Sequence, residues 1–405
     1  MLTDAEYTAV KNRALGRLFA IPGVSIVGIG GREREGRPTG ERTIRVFVRG
    51  KRPPADLPET EIIPSAFEGV RTDVVDLAPG PLAAAPDGAP PGRPDTREWR
   101  ELIAGSLLSP CVTAGRPGTV GCFLEGAGGA VYLLGHRQAL GSALPAVPPG
   151  AAGESRYSTE PRSCLAAPAP PLPGEFAAFA DAPGFPDPPA SPGASSFSGF
   201  SGFSDTSAYG PLSADQAEVG LARLPAGVRW YPDILDIGPV TATHTITQEE
   251  ADTHECEVRK RGAATRLTSG TVQAVEASQR KRGRFHHHLI VVRPTGAGRD
   301  GRPDRPFCAD GDAGALVVDA SNRAVGLLLA GFGASPEDPS AFLWGRVTPI
   351  RRVLDRLRAV QGQPLRVATA NRARQLRIVP GRSGAPSGPL VPMGDGASRS
   401  AATPP

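Results

Sequence analysis

The spacing of apolar and polar residues predicts that the chain begins with an amphipathic helix. Over residues 3–20 apolar side chains recur at four-residue intervals, and Thr3 with Glu6 has the spacing of a capping box. The pair Pro22 and Gly23 then ends the helix.

Two apolar segments follow this helix, VSIVGIG (24–30) and TIRVFVRG (43–50). They predict two strands joined by the polar turn GREREGRPTGE. A third extended segment, GVRTDVVDL, covers residues 69–77. Residues 1–80 are therefore predicted to form a small N-terminal α+β domain.

From Pro110 onward the pattern changes to short apolar strands separated by glycine-rich turns. These strands are VTAGRPGTVGCFL, GAVYLLG, VGLARL, SGTVQAV, HLIVV, GALVVD and AVGLLLAG. Such a series is typical of an all-β barrel or sandwich. The segment TPIRRVLDRLRAV (348–360) has one apolar face and predicts a closing helix, with Thr348 as its cap and Pro349 at its first position.

Composition predicts which of the remaining segments are ordered and which are not. The chain of 405 residues contains 50 Gly and 44 Pro, so we expect order to be uneven. Residues 81–109 are predicted to be a linker, and 110–362 the strand-rich domain. Within that domain 143–212, with the near-repeat SSFSGFSGFSD, is predicted to be a long disordered insertion, and 363–405 a disordered tail.

Charge and targeting signals exclude several classes of protein. The net charge is only +4, and the basic residues are almost all Arg, so we expect no nucleic-acid partner. The N-terminal residues MLTDAEYTAV do not form a secretory signal, and no apolar run is long enough to span a membrane. A cytoplasmic location is predicted. The five scattered cysteines are then expected to be reduced thiols: Cys111, Cys122, Cys164, Cys256 and Cys308.

No segment predicts a metal or cofactor site. Consecutive strand residues point to opposite faces, so His286–His288 cannot converge on one ion, and we expect a solvated strand end there. His254, Glu255 and Cys256 match no zinc spacing. The segment GIGGRERE has Glu33 where a dinucleotide fingerprint needs glycine.

Four separated segments, in order, resemble the bacterial trypsin-like serine peptidases that carry a small N-terminal α+β domain. VYLLGHRQALG (131–141) resembles the strand that ends at the family's histidine, and AEVGLARL (217–224) its acidic strand. VRKRGAATRLTSGTV (258–272) resembles a later hairpin, and FCADGDAGALVVD (307–319) the loop that presents the nucleophilic serine. The resemblance implies a double β-barrel.

The resemblance places the family's three catalytic positions on residues that do not form a triad. The serine falls on Ala313, the histidine on Gln138 and the carboxylate on Glu218. A methyl group cannot attack a carbonyl, and an amide cannot cycle a proton near neutral pH. Glu218 is either a retained acid or an exposed acid at a strand edge.

Two functions remain open on this basis, beside a purely structural or scaffold protein whose flexible segments recruit partners. In the first, the chain is an inactive homologue that binds a peptide or protein partner. Gly311, Asp312 and Gly314 then keep the oxyanion loop for a ligand. Alternatively, the two glycines persist because only glycine fits the turn. In the second, an active hydrolase uses His136, two residues before Gln138 and on the same strand face, as its base.

Overall fold

A computed structural model of the chain describes residues 2–77, 102–110, 118–140, 157–158, 218–224, 228–281, 284–295, 305–334 and 341–369. The helices in this part are α1 (Asp4–Leu18), α2 (Arg137–Leu140), α3 (Gln248–Thr253) and α4 (Ile350–Gln361). The strands of the first half are β1 (Val24–Arg34), β2 (Arg37–Val48), β3 (Ala66–Phe67), β4 (Val70–Asp76), β5 (Leu102–Ala104), β6 (Leu107–Pro110), β7 (Gly118–Glu125), β8 (Val131–His136), β9 (Tyr157–Ser158) and β10 (Val219–Arg223). Those of the second half are β11 (Trp230–Ile234), β12 (Gly238–Pro239), β13 (Ala242–Thr243), β14 (Glu257–Gly262), β15 (Arg266–Lys281), β16 (Arg284–Pro294), β17 (Cys308–Ala309), β18 (Leu316–Asp319), β19 (Arg323–Ala334), β20 (Ala341–Pro349) and β21 (Arg366–Val367).

The N-terminal module, residues 2–77, contains α1 and the strands β1 to β4. The predicted capping box is present, because the Thr3 side chain accepts from the amide of Glu6 and the Glu6 side chain accepts from the amide of Thr3. The predicted long turn at 31–41 is wrong. The strands continue through it and leave only Glu35 and Gly36, both with positive φ, as a two-residue hairpin turn.

The second half of the chain forms a closed six-stranded barrel. The strands pair in the order β14-β18-β19-β20-β16-β15, and β15 pairs back to β14. Closure leaves no open edge along this ring. Helix α4 follows the last barrel strand and packs Ile350, Val353 and Leu357 into the core.

A half-barrel lies beside the closed barrel. Its main sheet has the order β10-β8-β7-β6-β9, with β21 added to β7, and a smaller sheet joins β12, β11 and β5. The predicted mainly β, trypsin-like fold is confirmed.

The N-terminal module extends the barrel sheet. Strand β1 pairs antiparallel with β15, and Val27 lies opposite Ser278. Three glycines of the rejected GIGG motif lie along this joint. A Cβ on Gly28 would lie 2.8 Å from the Ala274 side chain, and those on Gly30 and Gly31 would overlap backbone atoms of the barrel half. These glycines allow close approach of backbones rather than nucleotide binding.

Several predicted segment ends differ in the structure. Strands β5 and β6 lie within the predicted linker, the backbone of β9 pairs with β6 inside the predicted insertion, and Leu365–Ala368 is buried within the predicted tail, apart from Arg366. The remaining residues of these three segments lie mostly outside the described part. The domain boundaries themselves stay predictions.

Helix α4 begins one residue later than its sequence pattern suggests. Thr348 and Pro349 still belong to β20, and Pro349 is the N-cap, without a side-chain hydrogen bond. The thiols of Cys122, Cys256 and Cys308 are unbonded to one another, and Cys111 and Cys164 lie outside the described residues. Among the described helices, none has the length and apolar character needed to cross a membrane.

Candidate functional site

The loop that resembles a nucleophile elbow lies between β17 and β18, against the end of β8. Gly311 and Gly314 have φ of +103° and +96°, values that residues other than glycine rarely adopt. A Cβ on Gly314 would lie 2.6 Å from the amide nitrogen of His136 and 2.7 Å from the carbonyl oxygen of Thr119. Gly314 therefore lets the loop touch the strand on which the resemblance places the catalytic histidine. We call residues 309–315 the elbow loop.

Asp312 anchors the elbow loop from inside the barrel. Its fully buried carboxylate accepts from the Lys260 ammonium at 2.9 Å and from the Thr265 hydroxyl at 2.6 Å. It also accepts from the backbone amides of Ala264, Thr265 and Ala309 at 2.8, 3.1 and 3.0 Å. Lys260 is fully buried as well. This ion pair is saturated with hydrogen bonds, which is the condition under which a buried carboxylate is tolerated.

Ala313 lies at the tip of the elbow loop and is partly exposed. Its carbonyl accepts from the Thr119 amide at 2.9 Å. Within the described part of the chain, the amides of Gly311 and Ala313 donate to no other residue. The loop therefore presents a methyl group and two unbonded amides at a partly exposed position.

The strand that resembles the histidine strand ends earlier than its pattern suggests. Strand β8 stops at His136, and Gln138 lies in the short helix α2. The prediction that His136 and Gln138 share a strand face is therefore wrong, because the chain turns between them. His136 is buried, with 6% of its surface exposed, and pairs through its backbone with Val219 on β10.

Glu218 stands immediately before β10, where its carbonyl accepts from the Arg137 amide at 3.0 Å. Its carboxylate accepts from the Arg346 guanidinium at 2.6 Å. The side chain of Arg346 is only 3% exposed and also donates to the Gln279 side chain. Burial lowers the pKa of Arg346, and the charge of Glu218 acts against that shift. Glu218 is thus not a simple exposed acid, because its contact with Arg346 joins the half-barrel to the closed barrel.

The Thr119 hydroxyl and the Cys308 thiol, near the elbow loop, are both buried and have hydrogen-bond partners. The buried Thr119 hydroxyl donates to the Gly311 carbonyl and accepts from the Ala263 amide, both at 2.9 Å. Cys308 is buried, with its sulfur 3.7 Å from the Trp344 carbonyl oxygen. Burial raises the pKa of the Cys308 thiol, so it stays protonated and is a poor nucleophile.

The consecutive histidines form no solvated strand end, contrary to the prediction. His286 is buried, and the Nδ1 atom of His287 lies 2.9 Å from the hydroxyl of Ser278. The Nδ1 atom of His288 lies 2.5 Å from the carboxylate of Glu276. In the described ranges, no three His, Cys, Asp or Glu side chains are grouped as metal ligands.

Sequence reasoning identified the elbow loop but not the residues that hold it. Lys260 is one of four lysines in an Arg-rich chain, and this rarity was the available signal for a special role. Thr119 and Arg346 gave no such signal, because their partners lie 144 and 128 residues away along the chain.

No protein-family model matches the chain, and no curated protein is similar to it in sequence. Among solved structures, it is similar to Nocardiopsis protease (NAPase), with 13% identity and a TM-score of 0.37 over 66% of this chain and 100% of that one. Thermobifida fusca protease A has 14% identity and a TM-score of 0.36, over 66% of this chain and 100% of that one. The MamO protease domain from Magnetospirillum magneticum has 13% identity and a TM-score of 0.29, over 62% of this chain and 96% of that one. These values are too low to support a statement about activity.

Proposed function

We propose that the chain is a catalytically inactive homologue of trypsin-like serine peptidases that binds a peptide or protein segment at the elbow loop. The observation that carries this proposal is the methyl group of Ala313 on an otherwise intact loop. Acyl transfer needs a lone pair at this position, and a methyl group has none. Without a nucleophile, only binding and the residual rate supplied by binding and an oxyanion hole remain.

The contact between Glu218 and Arg346 agrees with the proposal. A triad carboxylate holds the imidazole in one tautomer and stabilises its protonated form. The Glu218 carboxylate lies 2.6 Å from the positively charged Arg346 guanidinium. Part of its negative charge is therefore balanced by Arg346, which makes it a weaker stabiliser of a protonated imidazole.

The two amides of the elbow loop support a binding role. Backbone N–H groups without a hydrogen-bond partner attract carbonyl oxygens and anions. Gly311 and Ala313 offer such groups, and Asp312 holds the backbone between them through five hydrogen bonds. A peptide with a free carboxylate would place an oxygen there without any chemistry by the side chain at 313.

The rival proposal, an active hydrolase with His136 as base, needs a hydroxyl or thiol beside the elbow loop. Among the described residues, Thr119, Thr265 and Cys308 are groups of this kind that contact or precede the loop. The Thr265 hydroxyl donates to the Asp312 carboxylate, and Thr119 and Cys308 are buried. The Thr119 proton is donated to a carbonyl, and the Cys308 thiol stays protonated. Neither observation favours hydrolysis.

Loss of catalysis is tested by treating the purified full chain with a fluorophosphonate probe and with casein. We expect no labelling and no cleavage, with active trypsin at the same concentration as the positive control. The His136→Ala variant is expected to give the same result as the wild type. Labelling of the elbow loop, or casein cleavage that is lost in His136→Ala, contradicts the proposal.

Binding is tested separately by NMR on protein with ¹⁵N-labelled glycine and alanine. We expect the amide signals of Gly311 and Ala313 to shift when casein-derived peptides with a free C-terminal carboxylate are added. The same peptides with an amidated C-terminus are the matched control and should cause smaller shifts. If neither form shifts these signals, the elbow loop is not a peptide carboxylate site, whatever the outcome of the labelling test.

A further inference from the structure

A buried polar cluster joins the N-terminal module to the barrel on the side formed by α1, β15 and β16. Lys11 of α1 is only 1% exposed, and its ammonium donates to the carbonyl of Glu276 at 2.5 Å and to the hydroxyl of Ser278 at 3.0 Å. The same hydroxyl lies 2.9 Å from the Nδ1 atom of His287. A three-residue hydrogen-bond chain therefore runs from the helix to the barrel.

The hydrogen bonds of Ser278 favour a neutral His287. An ammonium group only donates, so the Ser278 oxygen accepts from Lys11. The hydroxyl proton of Ser278 is then available to the lone pair of a neutral Nδ1, 2.9 Å away. Protonating Nδ1 would remove this acceptor and would add a second positive charge to the cluster.

The backbone of the barrel is distorted at the same place. Glu276 and His288 have positive φ of 49° and 59°, and the pairing of β15 with β16 shifts register around them. Such a bulge turns a carbonyl out of the ladder. Here the Lys11 ammonium donates a hydrogen bond to the carbonyl of Glu276. The ring of His287 stacks on Phe285 with centroids 5.7 Å apart, and Phe285 contacts Phe19 after α1.

We propose that Lys11, Ser278 and His287 form a pH-sensitive latch, which docks the N-terminal helix on the barrel at neutral pH and loosens in acid. The charged and titratable groups that face His287 come from three elements. They are Lys11 on α1, Glu276 on β15, and His286 and His288 on β16; Arg352 on α4 faces Lys11 and Glu276. The Glu276 carboxylate contacts His288, and its negative charge also acts to raise the pKa of His287, against the larger effects of burial and of the Lys11 charge.

The sign of the pH effect follows from the docked state. Burial, followed by the charge of Lys11, lowers the pKa of His287 to about 4 from its ordinary value of 6.5. The undocked state therefore binds more protons between these values, so docking is strongest above pH 6.5 and weakens as the pH falls toward 4. Burial also lowers the pKa of Lys11 to about 8, which leaves the ammonium charged throughout this range. Acidification from pH 7 to pH 5 should weaken docking about twentyfold.

The latch is tested by hydrogen exchange on the full chain at pH 7 and pH 5. The readout is the protection of β1, which pairs with β15, relative to β8 in the half-barrel. In the wild type, this ratio should fall about twentyfold on acidification. In His287→Asn, whose side-chain oxygen replaces the acceptor at Nδ1 and does not titrate, the ratio should stay nearly constant.

Two further variants keep the result decisive. His244→Asn removes a histidine that contacts Asp319 and Glu250 outside the cluster, and it should retain the wild-type response. If His287→Asn does not fold, Lys11→Met replaces it, and removal of the ammonium should shrink the acid response. Unchanged β1 protection in the wild type at pH 5, or a full response in either latch variant, overturns the proposal.

Discussion

At the scale of single residues, Asp312 explains why the elbow loop keeps its shape without a catalytic serine. The sequence predicted the glycines and Asp312 from resemblance alone. The structure adds the reason, since the Asp312 carboxylate is fully buried and its charge is balanced by Lys260. A buried charge that loses its partner costs far more than the pair itself contributes.

Replacing Lys260 should therefore destabilise the whole barrel. In Lys260→Met the Asp312 charge stays buried without a cation, and we expect a loss of about 3–5 kcal/mol in the free energy of unfolding. Urea denaturation of the two proteins measures it. Lys51→Met is the matched control, because Lys51 is exposed and should change stability by less than about 0.5 kcal/mol. Equal losses in both variants would show that the ion pair does not hold the loop.

Glu218 shows where residue-level prediction from sequence ends. Its position before β10 was found by resemblance, and both a retained acid and an exposed acid were compatible with the sequence. The deciding contact is with Arg346, 128 residues further along the chain. Arg is abundant in this protein, so nothing in the sequence distinguished this one as the partner.

At the scale of elements, alternation found the strands but not their ends. The apolar segments at 24–30 and 43–50 became β1 and β2, yet the polar residues between them also pair, because a hairpin needs only a two-residue turn. The opposite error occurred after β8, where α2 follows directly on His136. The helix α3 was missed, although Thr247 and Glu250 carry the same capping-box signal that identified α1.

At the scale of the whole molecule, the sequence left the contact between module and barrel undetermined. Glycines in a strand are often a sign of close backbone approach, and GIGG was considered only as a nucleotide motif. The structure uses these glycines to bring β1 against β15 and Gly31 against α3. Buried Arg45 adds polar contacts across the same joint, to the Gln273 side chain at 3.0 Å and to the His254 ring at 2.9 Å.

This joint predicts opposite effects for two glycine substitutions in the same module. A Cβ on Gly31 would overlap the backbone carbonyl of Asp252, which cannot move without shifting α3, so Gly31→Ala should lower the free energy of unfolding by about 1–3 kcal/mol. Gly16 is exposed within α1, and no atom lies within 4 Å of the position that a Cβ would occupy. Gly16→Ala should therefore stabilise the protein by up to about 1 kcal/mol. Urea unfolding of both variants measures the difference, and a Gly31→Ala protein as stable as the wild type would mean that module and barrel do not pack this closely.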